Sequence, residues 1–138
     1  MSVKVEESIK NLEKRITSLK SAIIKYHAKL GTNEEEDYLE LIIKRFESAD
    51  ETSKKLMQSY LNYLGESEPK GAKNLFIKMH EYNFIDSDSW FDMNTDRNKT
   101  AHEYDERFAN ELVQKIIKVY IILIENFYNN IVEDFKQI

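Results

Sequence analysis

At 138 residues the chain has the size of one domain, 1–138, large enough to remove roughly two-thirds of its unfolded surface from water without a disulfide or structural metal. It contains no cysteine, which excludes a disulfide framework and a thiolate nucleophile. A formal net charge of −5 and a pI of about 5.3 argue against a domain that coats nucleic acid through a broad basic face.

Three glycines and one proline among abundant Leu, Ile, Lys and Glu point to long helices and few turns. In the first segment Ile9, Leu12, Ile16, Leu19, Ile23, Tyr26 and Leu30 recur at steps of three and four, one apolar stripe that Gly31 ends as a C′ residue. Thr32 with Glu35 forms a capping box. From there Tyr38, Leu41, Ile42, Phe46, Ala49, Leu56, Met57, Tyr60, Leu61 and Leu64 carry a second helix to Gly65. Its middle is weak, because Asp50 to Lys55 contains no apolar residue. Glu34 to Asp37 reads as favourable first-turn charge rather than a catalytic carboxylate cluster.

Ser67-Glu68-Pro69 is a plausible start for a short third helix with Leu75, Phe76 and Met79. Asn83 to Ser87 reads as a connection, and Trp90, Phe91 and Met93 fit a fourth helix running to about Asn98. The fifth is the clearest, with Phe108, Leu112, Val113, Ile116, Val119, Tyr120, Leu123, Ile124, Phe127, Tyr128, Ile131 and Phe135 on one wide apolar face. Short links between these segments predict an all-α, up-and-down antiparallel bundle of about five helices. The apolar runs fall far short of the roughly 20 residues of a membrane span. Met1 to Lys10 shows no signal-peptide pattern either, so no membrane contact and a cytoplasmic location are expected.

Between the fourth and fifth segments lies Asp96-Arg97-Asn98-Lys99-Thr100-Ala101-His102-Glu103-Tyr104-Asp105, which gathers an arginine, a histidine and a tyrosine without apolar periodicity. At about 100° per residue a continuous helix would hold Arg97 and His102 roughly 140° apart, so their convergence requires a break. Thr100 with Glu103 fits a capping box and Asp105-Glu106 is a second candidate start. Either would aim helix N–H groups at the stretch and make a plausible phosphate site with Arg97 and His102. An arginine five residues before a histidine recurs often by chance and, by itself, fits a purely structural role better than a functional one. From Phe91 to Arg107 the acids Asp92, Asp96, Glu103, Asp105 and Glu106 outnumber Arg97, Lys99 and Arg107, so any RNA contact would be local or built with a second chain.

Other candidates are weaker. His27 and His80 have no second histidine at i+4, so a metal site is not expected. Trp90, Phe91 and Tyr82 could stack a base but fit core positions better. With no Gly-rich phosphate loop and no Asp-x-Asp pair set as polymerase-type enzymes set it, the chain is not expected to transfer nucleotides itself.

The segment from Ile42-Ile43-Lys44-Arg45-Phe46-Glu47 through Pro69, Ile85-Asp86, Trp90, Met93, Asp96-Arg97-Asn98, His102 and Tyr104-Asp105 resembles the HEPN superfamily. More narrowly it is similar to the nucleotidyltransferase substrate-binding and HepT-like toxin branch, over residues 5 to 135, with Arg97, His102 and Tyr104 meeting an R-x-x-x-x-H-x-Y signature. The family usually continues Arg-Phe-Glu with aromatic residues and a tryptophan, whereas this chain has Ser48 to Lys55 with Lys54 in the tryptophan place.

The resemblance implies a HEPN bundle, a homodimer, and a minimal nucleotidyltransferase encoded nearby as partner, with no cofactor. It implies a metal-independent ribonuclease toxin in which His102 moves protons, Arg97 stabilises transition-state charge, and Asn98 holds the loop or contacts phosphate. Tyr104 would accept an adenylyl group that neutralises the toxin. The alternative it implies is a non-catalytic subunit that binds nucleotide or substrate through Arg97, Asn98 and His102.

Overall fold

In a computed structural model that describes residues 3–101 and 105–137, the chain forms helices and, among those residues, no strand. They are α1 (Val3–Ala28), α2 (Glu35–Tyr63), α3 (Gly71–Glu81), α4 (Ser87–Lys99), α5 (Glu106–Lys115) and α6 (Ile121–Lys136). A π-helical turn, Ile116–Tyr120, joins α5 to α6. No helix among the described residues is long and apolar enough to cross a membrane.

Side-chain contacts fix the helix directions. Ser8 meets Ser59 and Arg45 meets the Ser18 carbonyl, so α1 and α2 run antiparallel. Lys54 meets Asn94, Asp50 meets Arg97 and Glu47 meets Thr100, so α4 runs antiparallel to α2. Phe46 stacks on Tyr120 and Tyr60 donates to Asp134, pairs with the same offset of 74 residues, so the last rod runs parallel to α2. The result is the expected up-and-down bundle, with short α3 laid against α2 and α4.

The helix ends follow the local sequence. Gly65, at φ +87°, ends α2 in a Schellman turn: Glu66 N donates to the Leu61 carbonyl and Gly65 N to that of Asn62. Asn83, at φ +64°, does the same for α3. The box expected from Thr32 and Glu35 is displaced by one residue, with Thr32 Oγ1 accepting from Glu34 N and Glu35 Oε1 from Gly31 N. Glu35, Glu36 and Asp37 complement the start of α2.

Three expectations need correction. The third helix begins at Gly71, not at Ser67 to Pro69. Lys70 is extended and Gly71 has φ +80°, a conformation that only glycine adopts cheaply. Leu30 lies beyond the end of α1 and is 51% exposed, while Val5 and Ala22 complete the buried stripe. Val119 is 46% exposed because the π turn carries it off the apolar face and places Ile121 inside instead.

The core runs the length of the bundle, and its largest buried side chain is Trp90, packed between Phe76 and Phe127. Trp90→Ala should therefore cost about 3–5 kcal/mol of unfolding free energy in urea titrations. Leu30→Ala should change it by less than about 0.5 kcal/mol.

Candidate functional site

The weak middle of α2 is not a helix end but the floor of a polar seam between α2 and α4. At helical spacing Glu47, Asp50 and Lys54 share the face of α2 that meets Asn94 and Arg97 of α4. Asp50 is 1% exposed, an acid inside the core. Lys54 Nζ lies 2.9 Å from Asp50 Oδ2, donates to Asn94 Oδ1 at 2.6 Å, and sits 6.0 Å above the Phe76 ring. Arg97 places Nε 3.8 Å from the same Asp50 oxygen and Nη1 3.5 Å from Glu47 Oε2. Neither Asp50 oxygen accepts a well-directed hydrogen bond. Burial pushes the Asp50 carboxyl above the ordinary aspartate range, and Lys54 and Arg97 only partly offset this.

A second polar knot lies on the opposite side of Arg97. Asp96, 8% exposed, accepts from the Tyr120 hydroxyl and from Lys115 Nζ at 3.2 Å. In an unbroken α-helix Lys115 and Tyr120 would project about 140° apart. The intervening turn, closed by Ile121 N donating to the Ile116 carbonyl five residues back, brings both to one carboxylate. Burial, together with the bond to Asp96, pushes the Tyr120 phenol well above its ordinary value. Beside this knot a groove of about 330 Å³ is lined by Ser89, Asp92, Thr95, Val119 and Leu123.

The break expected after Arg97 is present. Helix α4 ends at Lys99 and α5 begins at Glu106, capped by Asp105 Oδ1 accepting from Phe108 N at 2.7 Å. Thr100 is thus not the cap of the last helix. It is the C-cap of α4, with Oγ1 2.7 Å from the Arg97 carbonyl and 2.8 Å from Glu47 Oε2, one proton serving two acceptors. Arg97 is half-buried at the seam, and Asn98 is exposed on the α4 end with no side-chain bond to another described residue. His102 and Tyr104 lie outside the described residues, as does Glu103.

On the Asp105 side a cleft of about 630 Å³ is walled by Glu35, Glu36, Glu40, Asp105 and Glu106. Its charge repels phosphate.

The weaker candidates resolve simply. His80 Nδ1 accepts from Ser87 N and caps α4. Trp90 is core, Phe91 packs on Phe76, and Tyr82 stacks on Phe84. Asp86-Ser87-Asp88 is an Asp-x-Asp triplet spent at the start of α4, where the bond from Ser89 holds the Asp86 carboxyl below its ordinary range. No group of three potential metal ligands occurs among the described residues.

Asp50, Lys54 and Asn94, and the Asp96–Lys115–Tyr120 knot, were not singled out as site residues in the sequence. The signal for the first was the run of polar residues through an otherwise apolar-periodic helix. No comparable signal marks the π turn.

Fold and seam together define an all-α antiparallel bundle with a polar seam under Arg97. The chain belongs to the family described as nucleotidyltransferase substrate binding protein like, whose model matches residues 7–133. Its fold is similar to that of a Shewanella oneidensis HEPN toxin, solved tri-AMPylated in complex with its MNT antitoxin. The TM-score is 0.76 at 16% identity, over 96% of this chain and 99% of that one. No curated protein matches in sequence.

Tyr120→Phe removes one donor from a buried carboxylate and should cost about 1–3 kcal/mol near neutral pH. A phenol whose folded pKa is raised keeps its proton when the unfolded chain loses it, so stability is full below the unfolded value of about 10 and falls as pH rises above it. The Phe variant should show a shallower alkaline loss in thermal melts.

Proposed function

We propose that this chain is the HEPN partner of a minimal nucleotidyltransferase, and that it is the ribonuclease toxin of a pair in which adenylylation is the off-switch. The observation that carries this reading is Arg97. It stands at the end of α4, part exposed, held at the edge of the motif by two carboxylates rather than buried as a structural cation. Family membership over residues 7–133 and the likeness to an AMPylated HEPN toxin support the same partnership.

In the proposed reaction the 2′-hydroxyl of RNA attacks the adjacent phosphorus while His102 takes its proton. The P–O5′ bond breaks, and the departing 5′-oxygen takes a proton from a second group, Tyr104 or His102 of a second copy. A 2′,3′-cyclic phosphate and a 5′-hydroxyl remain. Arg97 stabilises charge on the phosphorane-like transition state, and Asn98 contacts phosphate or holds the loop. No step requires a metal ion.

A homodimer supplies the second proton-transfer group. The exposed apolar pair Val119 and Ile122, on the outer face of the last rod, supports such a surface. For the off-switch, the Tyr104 hydroxyl attacks the α-phosphorus of ATP on the partner enzyme and pyrophosphate leaves. The added negative group then repels RNA phosphate.

Unmodified protein should cleave RNA in EDTA. His102→Ala should lower the rate about 10²- to 10⁴-fold with RNA affinity largely kept, whereas Arg97→Ala should reduce both. Incubation with the cognate nucleotidyltransferase, ATP and magnesium should add one or more adenylyl masses, lost in Tyr104→Phe.

A second reading, a non-catalytic subunit that presents nucleotide or substrate to the partner, is favoured by the loose pairing of Arg97, which an anion can displace. Intact RNA with Arg97-dependent nucleotide binding would establish it over the first.

A further inference from the structure

Between Arg97 and Lys54 lies one buried counter-ion, the Asp50 carboxylate. It is 1% exposed while Arg97 and Lys54 cover it, and no well-directed hydrogen bond supports it. Its charge is held by Lys54 at 2.9 Å and Arg97 at 3.8 Å, both to the same oxygen. Of the other charged groups of its own helix near it, Glu51 is an acid that disfavours its ionisation, and Glu47 is paired with Arg97. From α4 it meets Arg97 alone as a charge, since Asn94 takes the far side of Lys54. From α3 the Phe76 ring lies under Lys54.

Of the two cations Lys54 is held closely, by Asp50 at 2.9 Å and Asn94 at 2.6 Å, and Arg97 loosely. Their side chains are 27% and 24% exposed for Arg97 and Lys54, so each head has a path outward. The Arg97 contacts, at 3.5 and 3.8 Å, are longer than the roughly 2.7–2.9 Å of a tight charge-assisted bond. A phosphate at the seam offers Arg97 a bidentate partner with more charge and better geometry than either carboxylate.

We infer that an incoming phosphate draws Arg97 away from Asp50, and that Asp50 then takes up a proton from solvent, so that anion binding at this seam is coupled to protonation of a buried carboxylate. This rests on the reading of Arg97 as a phosphate ligand. The physical cause is charge balance. Once the guanidinium leaves and a second negative group arrives, an ionised Asp50 is a buried charge supported by Lys54 alone. One proton, given up by the buffer, removes that charge.

The test is isothermal titration of the full chain with a deoxydinucleoside monophosphate, which has no 2′-hydroxyl to attack and whose single phosphodiester does not titrate near neutral pH, in buffers of different ionisation enthalpy. The expected result is uptake of up to one proton per site, with affinity falling by up to tenfold per pH unit as pH rises. Asp50→Asn, which mimics the protonated acid, should bind at least as tightly, with no proton uptake and a flat pH dependence. If that variant fails to fold, Asp50→Leu with Lys54→Met replaces the pair by apolar groups and should likewise bind without uptake.

Binding by the wild type without proton exchange would overturn the coupling while leaving Arg97 as a phosphate ligand. Uptake that persists in the Asp50 variants and vanishes in His102→Gln would place the proton on the imidazole, and the inference would be wrong. A wild type that does not bind the phosphodiester would remove the phosphate reading and this inference with it.

Discussion

The bundle is organised around a charge that it cannot solvate. Asp50 sits mid-helix at 1% exposure, and α4 must be placed so that Arg97 and the Asn94-anchored Lys54 face it. Breaking such a group of charges is far costlier than never having built it, because the remaining partner is left buried and uncompensated. The seam therefore acts on register more than on net stability. Pairing 54 with 94, 50 with 97 and 47 with 100 is satisfied by one alignment of α4 on α2. A slip of one residue would rotate α4 by about 100° and carry Arg97 off the face that meets the carboxylates.

That alignment puts Arg97 one turn from the end of α4, and the far side of the same turn is held by Asp96. Its partners come from a rod that would otherwise present only one of them. The π turn reconciles an apolar face with a carboxylate that needs both Lys115 and Tyr120, and the cost is visible in Val119, turned out to solvent. Arg97 is thus bracketed by two buried acids of different character. Asp96 accepts from a phenol and an ammonium, whereas Asp50 is surrounded by charge without good hydrogen bonds.

The fold was legible because its signals are local and repeated. Periodic stripes in α1, α2 and the last rod, with the glycines at 31 and 65, place the helices and most of the core. The break after Arg97 was legible for the same reason, as a gap in that periodicity. What the sequence concealed were features set by tertiary contact. A π turn leaves the apolar residues almost where an α-helix needs them, so nothing in the spacing announces it. Polar residues in mid-helix look like a solvated stretch until a second helix is laid over them, and this is how Asp50 and Lys54 passed as weakness in α2. Gly71 marks the true start of α3 through its positive φ.

The departure at Lys54 now has a physical setting. Where the family resemblance leads one to expect an aromatic surface with tryptophan, this chain buries an aspartate and covers it with a lysine whose ammonium still rests above an aromatic ring, that of Phe76. An apolar pair there would leave Arg97 with Glu47 alone, a part-exposed ion pair at 3.5 Å and of little strength. With Asp50 present, the guanidinium is drawn toward the seam, and an anion must compete with two carboxylates to engage it. In a chain of net charge −5 that also carries an acidic cleft lined by Glu35, Glu36 and Asp105, the proposed reading of Arg97 as a phosphate ligand confines phosphate recognition to the seam. On that reading, selectivity depends on how well a ligand's phosphate competes with the two acids, not on the overall attraction of the domain for polyanions.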